Sequence, residues 1–270
     1  MARVVVCGAM GRMGRAILAA LKERPFGLEI SGAVECQGHP LLGQDAFEAA
    51  GVGKSGVPVT DDFPKAIASA DVAIDFTHAA SSVGNARQTA GAGKAMVIGS
   101  TGFTPEQLSQ VRDAAKGIPC VLSPNMSVGV NLMFKVAADV ARILGDEYDV
   151  EIVEVHHRFK KDSPSGTAVR LADVVAGALG REMKDVGIYG REGMVGERSR
   201  KEIGVFAVRA GDVVGEHTLV FGGIGERFEI THRAHSRETF ARGAVRAAAW
   251  VVGKPHGLYD MRAVLGIQAR

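Results

Sequence analysis

The run RVVVCGAMGRMG occupies residues 3–14 and sets the architecture around it. Residues 3–7 are rich in β-branched side chains and predict a short β-strand. Met13, Ile17 and Leu21 then recur at intervals of four, which predicts a helix with one apolar face. The glycines between strand and helix let backbone N–H groups approach a pyrophosphate at the positive end of the helix. The run therefore predicts a dinucleotide-binding turn, although its spacing is GxxGxxG instead of the commoner GxGxxG.

From this turn to about residue 126, β-rich runs alternate with helical patterns. Further strands are predicted at residues 28–35, 71–76, 95–99 and 120–123. This alternation is typical of a parallel sheet covered by helices, so the predicted fold class is α/β with a Rossmann-like domain. Residues 130–144 predict another helix, which Gly145 would end.

Residues 150–234 follow a different pattern, because three β-rich runs succeed one another without helices between them. The runs lie at residues 203–210, 216–221 and 227–233. Gly211-Asp212 and Gly222-Gly223 separate them and predict hairpin turns. With a helix at residues 164–179, the pattern predicts an α+β domain with a mixed or antiparallel sheet.

The length of 270 residues favours two domains, although one large domain remains an alternative. Ser236 is a candidate N-cap for a last helix that ends at Gly253 and could return to the first domain. We therefore assign residues 1–126 and 237–270 to a dinucleotide-binding domain. Residues 127–236 form the second domain, which we expect to bind the substrate.

The composition excludes several classes of protein. A net charge of +2, without a Lys/Arg-rich block, gives little of the positive field that nucleic-acid binding needs. The chain has no apolar run of membrane-spanning length and no signal-peptide core, so we expect a soluble cytoplasmic protein without a membrane partner. Its three cysteines lie far apart in no zinc-type spacing, which favours a reduced compartment and no metal site.

Glu35 and Cys36 bear on the choice of cofactor. Glu35 ends the second predicted strand, where its carboxylate can accept hydrogen bonds from the adenosine ribose hydroxyls of NAD. A cationic residue at position 36 would favour the 2′-phosphate of NADPH, so Cys36 favours NADH, with Arg12 as the remaining phosphate ligand. The alternative is a tight turn beside a solvated glutamate.

Three loops follow predicted strands at their carboxyl ends, where ligands gather in open α/β sheets. They are Phe76-Thr77, Gly99-Ser100-Thr101-Gly102 and Ser123-Pro124-Asn125-Met126. We expect them to line the nicotinamide, although ordinary βα turns would have the same composition.

The segment from His156 to Thr167, HHRFKKDSPSGT, is the most informative part of the second domain. Ser163 is a candidate N-cap with Pro164 at N1, which places Ser165, Gly166 and Thr167 in the first turn of a helix. The N–H groups of that turn lack acceptors within the helix and, together with nearby cations, suit a small molecule that carries carboxylates. Histidine can exchange a proton near neutral pH, and lysine can act as a fixed charge or an acid. A solvated basic loop before a capped helix is the alternative interpretation.

Five motifs occur in order across nearly the whole chain: GAMGRMG (8–14), DFT (75–77), GSTGF (99–103), SPNMSVGVN (123–131) and EVHHRFKKDSPSGTA (154–168). In this combination the chain closely resembles the 4-hydroxy-tetrahydrodipicolinate reductase family. The single glycine turn is a weak signal, whereas the HHRxKxDxPSGTA pattern is highly specific. The resemblance implies NAD(P)H-dependent reduction of a small dicarboxylate in diaminopimelate and lysine biosynthesis, and a homotetramer joined through the sheet of the second domain.

The resemblance also implies roles for individual residues. It implies proton transfer by His156 and Lys160. The implied substrate contacts are His157, Ser165, Gly166, Thr167 and Thr101. The implied cofactor contacts are Gly8, Ala9, Met10, Gly11, Arg12, Met13, Glu35, Thr77, Gly99, Ser100, Thr101, Ser123, Pro124, Asn125 and Met126.

Two other functions compete with this interpretation. An L-aspartate dehydrogenase has a similar glycine turn and an anionic substrate, but the PSGTA turn argues against it. A catalytically silent NAD-binding sensor would use its second domain to bind a partner protein, but the presence of His156 and Lys160 argues against that.

Overall fold

The computed structural model describes residues 1–23 and 25–267, and the chain falls into two compact units. Unit 1 is built from residues 1–128 and from the segment that begins at Arg237. Unit 2 is the continuous stretch Gly129–Ser236. The middle of the chain is thus inserted between the two parts of unit 1.

The sheet of unit 1, within the described residues, has seven strands, and every neighbouring pair is parallel. The strands are β1 (Ala2–Cys7), β2 (Leu28–Val34), β3 (Val59–Thr60), β4 (Val72–Asp75), β5 (Ala95–Ile98), β6 (Pro119–Leu122) and β12 (Gly257–Tyr259). Their order is β12-β6-β5-β4-β1-β2-β3, so the chain changes direction across the sheet between β1 and β4. Ligands of open α/β sheets bind at the carboxyl ends of the strands beside such a switch point.

Both faces of this sheet are buried, as a parallel sheet requires. Along β1, Val4 and Val6 enter one hydrophobic cluster, whereas Val5 and Cys7 enter another on the opposite face. The helices that cover the faces are α1 (Arg12–Lys22), α2 (Ala46–Ala50), α3 (Phe63–Ala68), α4 (Ala79–Gly91), α5 (Pro105–Ala115), α9 (Glu238–Val251) and α10 (Met261–Val264). The cluster that contains Val4 also contains Ile17 and Leu21 of α1 together with residues of α9.

Unit 2, which is described in full, has a mixed sheet of five strands ordered β11-β10-β7-β9-β8. These are β7 (Asp149–His156), β8 (Gly187–Ile188), β9 (Ile203–Arg209), β10 (Gly215–Gly222) and β11 (Arg227–Ala234). Strand β7 pairs parallel with β9 and antiparallel with β10. The helices of the unit are α6 (Val128–Leu144), α7 (Gly166–Ala178) and α8 (Met183–Val186).

The inward face of this sheet is apolar in one half and polar in the other. Alternate residues of β7 point inward, so that Val150 and Ile152 join a cluster with Leu171 and Val175 of α7. Further along the same face of β7 lie Glu154 and His156, both buried. The apolar half packs against α7. The polar half places two buried ionisable side chains where they can form a functional site.

The predicted combination of a Rossmann-like unit with a mixed-sheet unit is confirmed, and each strand predicted in unit 1 lies within two residues of its observed bounds. The antiparallel hairpin at Gly222-Gly223 is also confirmed, since β10 pairs with β11. The hairpin predicted at Gly211-Asp212 is wrong. Strand β7 lies between β9 and β10, so the chain crosses from one side of β7 to the other at that point.

Two predicted helix caps are also wrong. Helix α7 begins at Gly166, and its N-cap is Ser165, whose Oγ accepts a hydrogen bond from Ala168 N at 3.1 Å. The cap lies two residues later than Ser163 because Ser165 has the extended backbone and the reach to the third N–H of the helix. Helix α9 begins at Glu238, and Arg237, instead of Ser236, occupies its N-cap position without a side-chain cap.

Candidate active site

The glycine turn of unit 1 brings α1 close to β1. Gly8 has a φ of 70°, and the N–H groups of Gly8 and Ala9 both donate to Val34 O, at 2.9 and 3.1 Å. A Cβ on Gly14 would lie 2.1 Å from Gly8 O, so only glycine permits this approach. The turn therefore leaves room for a pyrophosphate beside the first residues of α1, Arg12 and Met13.

Glu35 is held against this turn by backbone hydrogen bonds. Its Oε1 accepts from Met10 N at 2.7 Å, and its Oε2 accepts from Cys36 N at 3.2 Å. The carboxylate is therefore fixed at the end of β2, where it can accept a further hydrogen bond from a sugar hydroxyl. Cys36 is exposed beside it. These residues fit the adenosine half of a nicotinamide dinucleotide.

An open groove of ≈ 720 Å³ lies at the carboxyl ends of β4 and β5 in unit 1. Eight predicted residues line it together: Arg12, Met13, Phe76, Thr77, Gly99, Ser100, Thr101 and Gly102. A Cβ on Gly99 would lie 2.1 Å from the ring of Phe76, so the glycine lets that ring pack under the loop.

Thr77 and Ser100 of this groove belong to a polar network around Asp75, which the sequence did not reveal as a site residue. Asp75 is fully buried at the end of β4, and its Oδ1 accepts from Thr77 N at 2.9 Å and from Thr77 Oγ1 at 2.7 Å. Ser82 and Ser100 also place their hydroxyls within 2.8 and 3.2 Å of that oxygen. Asn85 Nδ2 donates to the other oxygen at 2.7 Å. The network fixes the loops after β4 and β5.

The loop after β6 is held by its own side chains. Ser123 Oγ donates to Asn125 O at 2.9 Å, and Asn125 Oδ1 accepts from Ser127 N at 2.9 Å. Pro124 is exposed, whereas Met126 is buried in the core beside α9. The side chains of Ala9 and Met10 enter the same core. Ala9, Met10 and Met126 can therefore contact a ligand only through their backbone atoms.

In unit 2, His156 is paired with Glu154 on the inward face of β7. Glu154 Oε2 lies 2.5 Å from His156 Nδ1. Arg209 Nη1 and Nη2 each donate to Glu154 at 2.9 Å, in a bidentate pair, and Ser165 N donates to it at 3.0 Å. Glu154 therefore joins the end of β7, the end of β9 and the start of α7.

The electrostatics of this cluster fix the proton on His156. Burial raises the pKa of Glu154, but hydrogen bonds from Arg209, His156 and Ser165 outweigh it and lower the pKa below its ordinary value. An ionised carboxylate can only accept, so Nδ1 of His156 carries a proton. Burial lowers the pKa of His156, against the opposing effect of Glu154. The resting ring is therefore neutral at pH 7, with its Nε2 unprotonated and able to accept a proton.

Strand β10 provides the surface beside this imidazole. A Cβ on Gly215 would lie 3.0 Å from His156 Nε2, so the glycine leaves that nitrogen room. The ring of His217 contacts the ring of His156 edge to face, with centroids 5.2 Å apart. Neither β10 residue was predicted as part of a site.

The start of α7 lies next to the same cluster. Ser165 is buried, Gly166 is exposed and Thr167 is half-buried. The hydroxyl of Ser165 serves as the helix cap and lies 3.1 Å from His217 Nε2. Ser165 thus contacts other protein groups, whereas Gly166, the first residue of α7, is exposed.

Two further predicted residues lie on the loop between β7 and α7. Lys160 Nζ donates to Asp162 Oδ2 at 2.9 Å, and its side chain is 19% exposed. The half-buried ring of His157 lies beside the exposed ring of Phe159, with centroids 6.2 Å apart. Unit 2 therefore brings His156, Lys160 and Ser165 together and adds Glu154, Arg209, Gly215 and His217 to them, whereas the ring of His157 contacts Phe159.

A signal for Glu154 was present in the sequence. It lies two residues before His156 in a predicted strand, so both side chains must point to the same face. The other additions had no such signal, because they depend on the pairing of β7 with β9 and β10.

Across residues 1–23 and 25–267, no three His, Cys, Asp or Glu side chains are grouped so that they could bind a metal ion. In the same part of the chain, no helix has the length and apolar character to cross a membrane.

Comparisons with known proteins agree with this arrangement. Residues 2–126 match the family model "Dihydrodipicolinate reductase, N-terminus", and residues 129–265 match "Dihydrodipicolinate reductase, C-terminus". The chain is 58% identical over 268 residues to a 4-hydroxy-tetrahydrodipicolinate reductase of Geobacter sp. (strain M21), covering 99% of this chain and 100% of that protein. A protein of the same name from Anaeromyxobacter dehalogenans (strain 2CP-1 / ATCC BAA-258) is 58% identical, with 99% of each chain covered.

Solved structures show the same likeness. A dipicolinate-bound dihydrodipicolinate reductase from Paenisporosarcina sp. TG-14 has a TM-score of 0.76 at 26% identity, and the match covers 96% of this chain and 97% of that chain. An amine dehydrogenase from Mycobacterium smegmatis has a TM-score of 0.62 at 14% identity, covering 100% and 97%, which shows a shared fold alone.

Proposed function

The chain belongs to the dihydrodipicolinate reductase family, and we infer from this membership and from the two clusters described above how it acts on its substrate. The protein is an oxidoreductase that reduces 4-hydroxy-tetrahydrodipicolinate with a nicotinamide cofactor, a step of diaminopimelate and lysine biosynthesis. The observation that carries the residue assignments is the Glu154–His156 pair beside the first turn of α7.

We propose that the first turn of α7 binds one carboxylate of the substrate. Gly166 and Thr167 offer backbone N–H groups at the positive end of a helix of 13 residues. His157 and Lys160, which precede the turn, neutralise the remaining negative charge, and Thr101 of unit 1 also contacts the substrate. The bound dipicolinate of the Paenisporosarcina relative is a dicarboxylate of the same class.

We propose that His156 and Lys160 handle the proton of the reaction. The hydrogen bond to Glu154 orients the ring so that Nε2 is its reactive atom, and the carboxylate stabilises the imidazolium that forms when Nε2 is protonated. Once water has been lost from the 4-hydroxy position, hydride supplied by a bound cofactor would add at C4, and the ammonium group of Lys160, held by Asp162, would donate a proton to the adjacent carbon. Lys160 also contributes a positive charge that opposes protonation of the neighbouring His156.

We propose that the glycine turn, Glu35 and the three loops of unit 1 hold the cofactor, which supplies the hydride when it is bound. The backbone at Gly8–Met13 holds the pyrophosphate, and Glu35 accepts from the ribose hydroxyls. Thr77, Gly99, Ser100, Thr101 and the loop Ser123-Pro124-Asn125-Met126 line the nicotinamide end. The absence of a positive charge at Cys36 favours NADH over NADPH.

We further propose domain roles and an assembly. Residues 1–126 and 237–270 bind the dinucleotide, and residues 127–236 bind the substrate and form a homotetramer in the cytoplasm through the unit 2 sheet. The exposed apolar side chain of Val208, on the face of that sheet opposite Glu154 and His156, supports the interface, and the free cysteines support a reduced compartment.

The activity is tested by following NADH absorbance with freshly made product of dihydrodipicolinate synthase, and separately with oxaloacetate plus ammonia. We expect oxidation with the first only. His156→Ala should lower turnover by roughly two to four decades while cofactor affinity changes little, and His256→Ala, at an exposed position in unit 1, is the matched control. Near-normal turnover of His156→Ala would refute the role of His156. Cofactor binding without oxidation of either substrate would refute the reductase itself.

A further inference from the structure

His217 is a buried polar residue on an otherwise apolar strand face. The inward-facing residues of β10 are Gly215, His217, Leu219 and Phe221, and all four are buried. His217 pairs in register with Glu154 of β7 and is 4% exposed. A histidine in this position costs desolvation free energy, so a compensating interaction is expected.

That interaction is with the cap of α7. Nε2 of His217 lies 3.1 Å from Ser165 Oγ, and the same oxygen accepts a hydrogen bond from Ala168 N. Nδ1 of His217 is buried and has no hydrogen-bond partner within the described chain. An orphaned buried N–H is rarer than an acceptor with an unused lone pair. The proton of the neutral ring is therefore on Nε2, which donates to Ser165.

The neutral state is set by the surroundings of the ring. Burial, together with the nearby His156, His232 and Lys160, lowers the pKa of His217 to about 4, against the opposing effect of Glu154. At neutral pH the ring therefore offers one donor and carries no charge. Ser165 Oγ then accepts two hydrogen bonds, one from its own helix and one from the sheet.

We propose that His217 is a positioning residue for substrate binding. Its Nε2–H donates to Ser165 Oγ, ties the N-cap of α7 to β10, and keeps the N–H groups of Gly166 and Thr167 aimed at a substrate carboxylate. This inference rests on the proposed function, because it assumes that the first turn of α7 receives the carboxylate.

The test compares His217→Leu with His217→Gln in the full-length protein. Leucine fills the space without a donor, whereas the glutamine amide can reach Ser165 as the imidazole does. Loss of one buried hydrogen bond of about 1.4 kcal/mol is tenfold in an equilibrium constant. We expect His217→Leu to raise the KM for substrate and the Kd for dipicolinate by about tenfold, with kcat and the Kd for NADH nearly unchanged. His217→Gln should restore both values to within about twofold of the wild type.

Thr218→Val is the matched control. It removes a side-chain hydrogen bond, to Thr231, from the next residue of the same strand on the opposite face. It should leave the Kd for dipicolinate unchanged. In a double-mutant cycle, Ser165→Ala combined with His217→Leu should be no worse than the more affected single variant, because both remove the same interaction.

Two measurements do not depend on turnover. Nitrogen NMR of the wild type should show the His217 proton on Nε2, and amide exchange at Gly166 and Thr167 should be faster in His217→Leu than in Thr218→Val. Each of four results would overturn the proposal: a proton on Nδ1, unchanged amide exchange, wild-type dipicolinate affinity in a folded His217→Leu variant, or additive effects in the double-mutant cycle. If the wild type neither binds dipicolinate nor turns over substrate, the proposed function fails instead, and the NMR and exchange results still decide the hydrogen bond.

Discussion

Replacing Glu154 by glutamine should show how much turnover depends on the orientation and protonation of the His156 ring, because the histidine itself is retained. Glu154 is fully buried and accepts hydrogen bonds from Arg209, His156 and Ser165. Each carboxylate oxygen accepts from Arg209 and from one further donor, which is His156 Nδ1 at Oε2 and Ser165 N at Oε1. A glutamine amide has only one acceptor atom, so its NH₂ group must face Arg209 together with either His156 Nδ1 or Ser165 N. Facing Nδ1, it moves the ring proton to Nε2 and reverses the two nitrogens of His156. The change therefore removes the reactive acceptor while every catalytic side chain remains.

The expected effect on turnover is large. A misprotonated catalytic imidazole lowers kcat by roughly two to four decades. The acidic limb of the pH profile should also move to lower pH, because the carboxylate that raises the pKa of His156 has been removed. Loss of one member of a buried ion pair costs roughly 3–5 kcal/mol of unfolding free energy, and less is expected here because the Arg209 side chain is 21% exposed.

The assay is steady-state kinetics over a range of pH, with the cofactor Kd measured separately. Glu151→Gln is the matched control, since Glu151 lies on the same strand and bonds to Arg191 and Arg198 instead. We expect its turnover to stay within about threefold of the wild type. If Glu154→Gln retains turnover within the same range while folded, the orientation argument for His156 is incorrect.

Three further outcomes are expected. The wild-type protein should use NADH at least as well as NADPH, and a strong preference for NADPH would contradict the interpretation of Glu35. Cys36→Arg should lower the KM for NADPH by roughly tenfold through a charge-assisted hydrogen bond to its 2′-phosphate. Gly215→Ala places a Cβ 3.0 Å from His156 Nε2 and should lower kcat by about 10–100-fold without changing cofactor Kd. The pKa of His217, about 4 in the fold, lies below its ordinary value. Its neutral form therefore contributes stability above about pH 6.5 that is lost as pH falls towards 4, by at most roughly 3 kcal/mol. His217→Gln should consequently show a shallower decline of the denaturation midpoint between about pH 7 and pH 5 than the wild type.

The sequence was most informative where local chemistry determines structure. The glycines at positions 8 and 14 are required by a positive φ and by a close backbone approach, and both requirements can be inferred from a strand-to-helix turn alone. The strands of unit 1 were predictable for a similar reason, because fully buried parallel strands are continuous apolar runs.

Features that depend on pairing between distant segments could not be predicted. Nothing local to Gly211 reveals that β7 lies between β9 and β10. For the same reason Arg209 and His217 could not be assigned to the site, since each reaches Glu154 or Ser165 only through that strand order. The cap of α7 was misplaced by two residues because Ser163 and Ser165 are both suitable caps, and only the backbone conformation distinguishes them.

The insertion of unit 2 within unit 1 has a consequence for synthesis on the ribosome. Helix α9 supplies Ala241, Ala244, Val245 and Ala248 to the same core as Val4, Ile17 and Leu21. During synthesis, that core lacks the side chains of α9 until the residues after 237 have left the exit tunnel. By then every strand of unit 2 has already been synthesised. In the nascent protein, unit 2 should therefore fold before unit 1. Until α9 is available, the first hundred residues expose part of their apolar core to solvent.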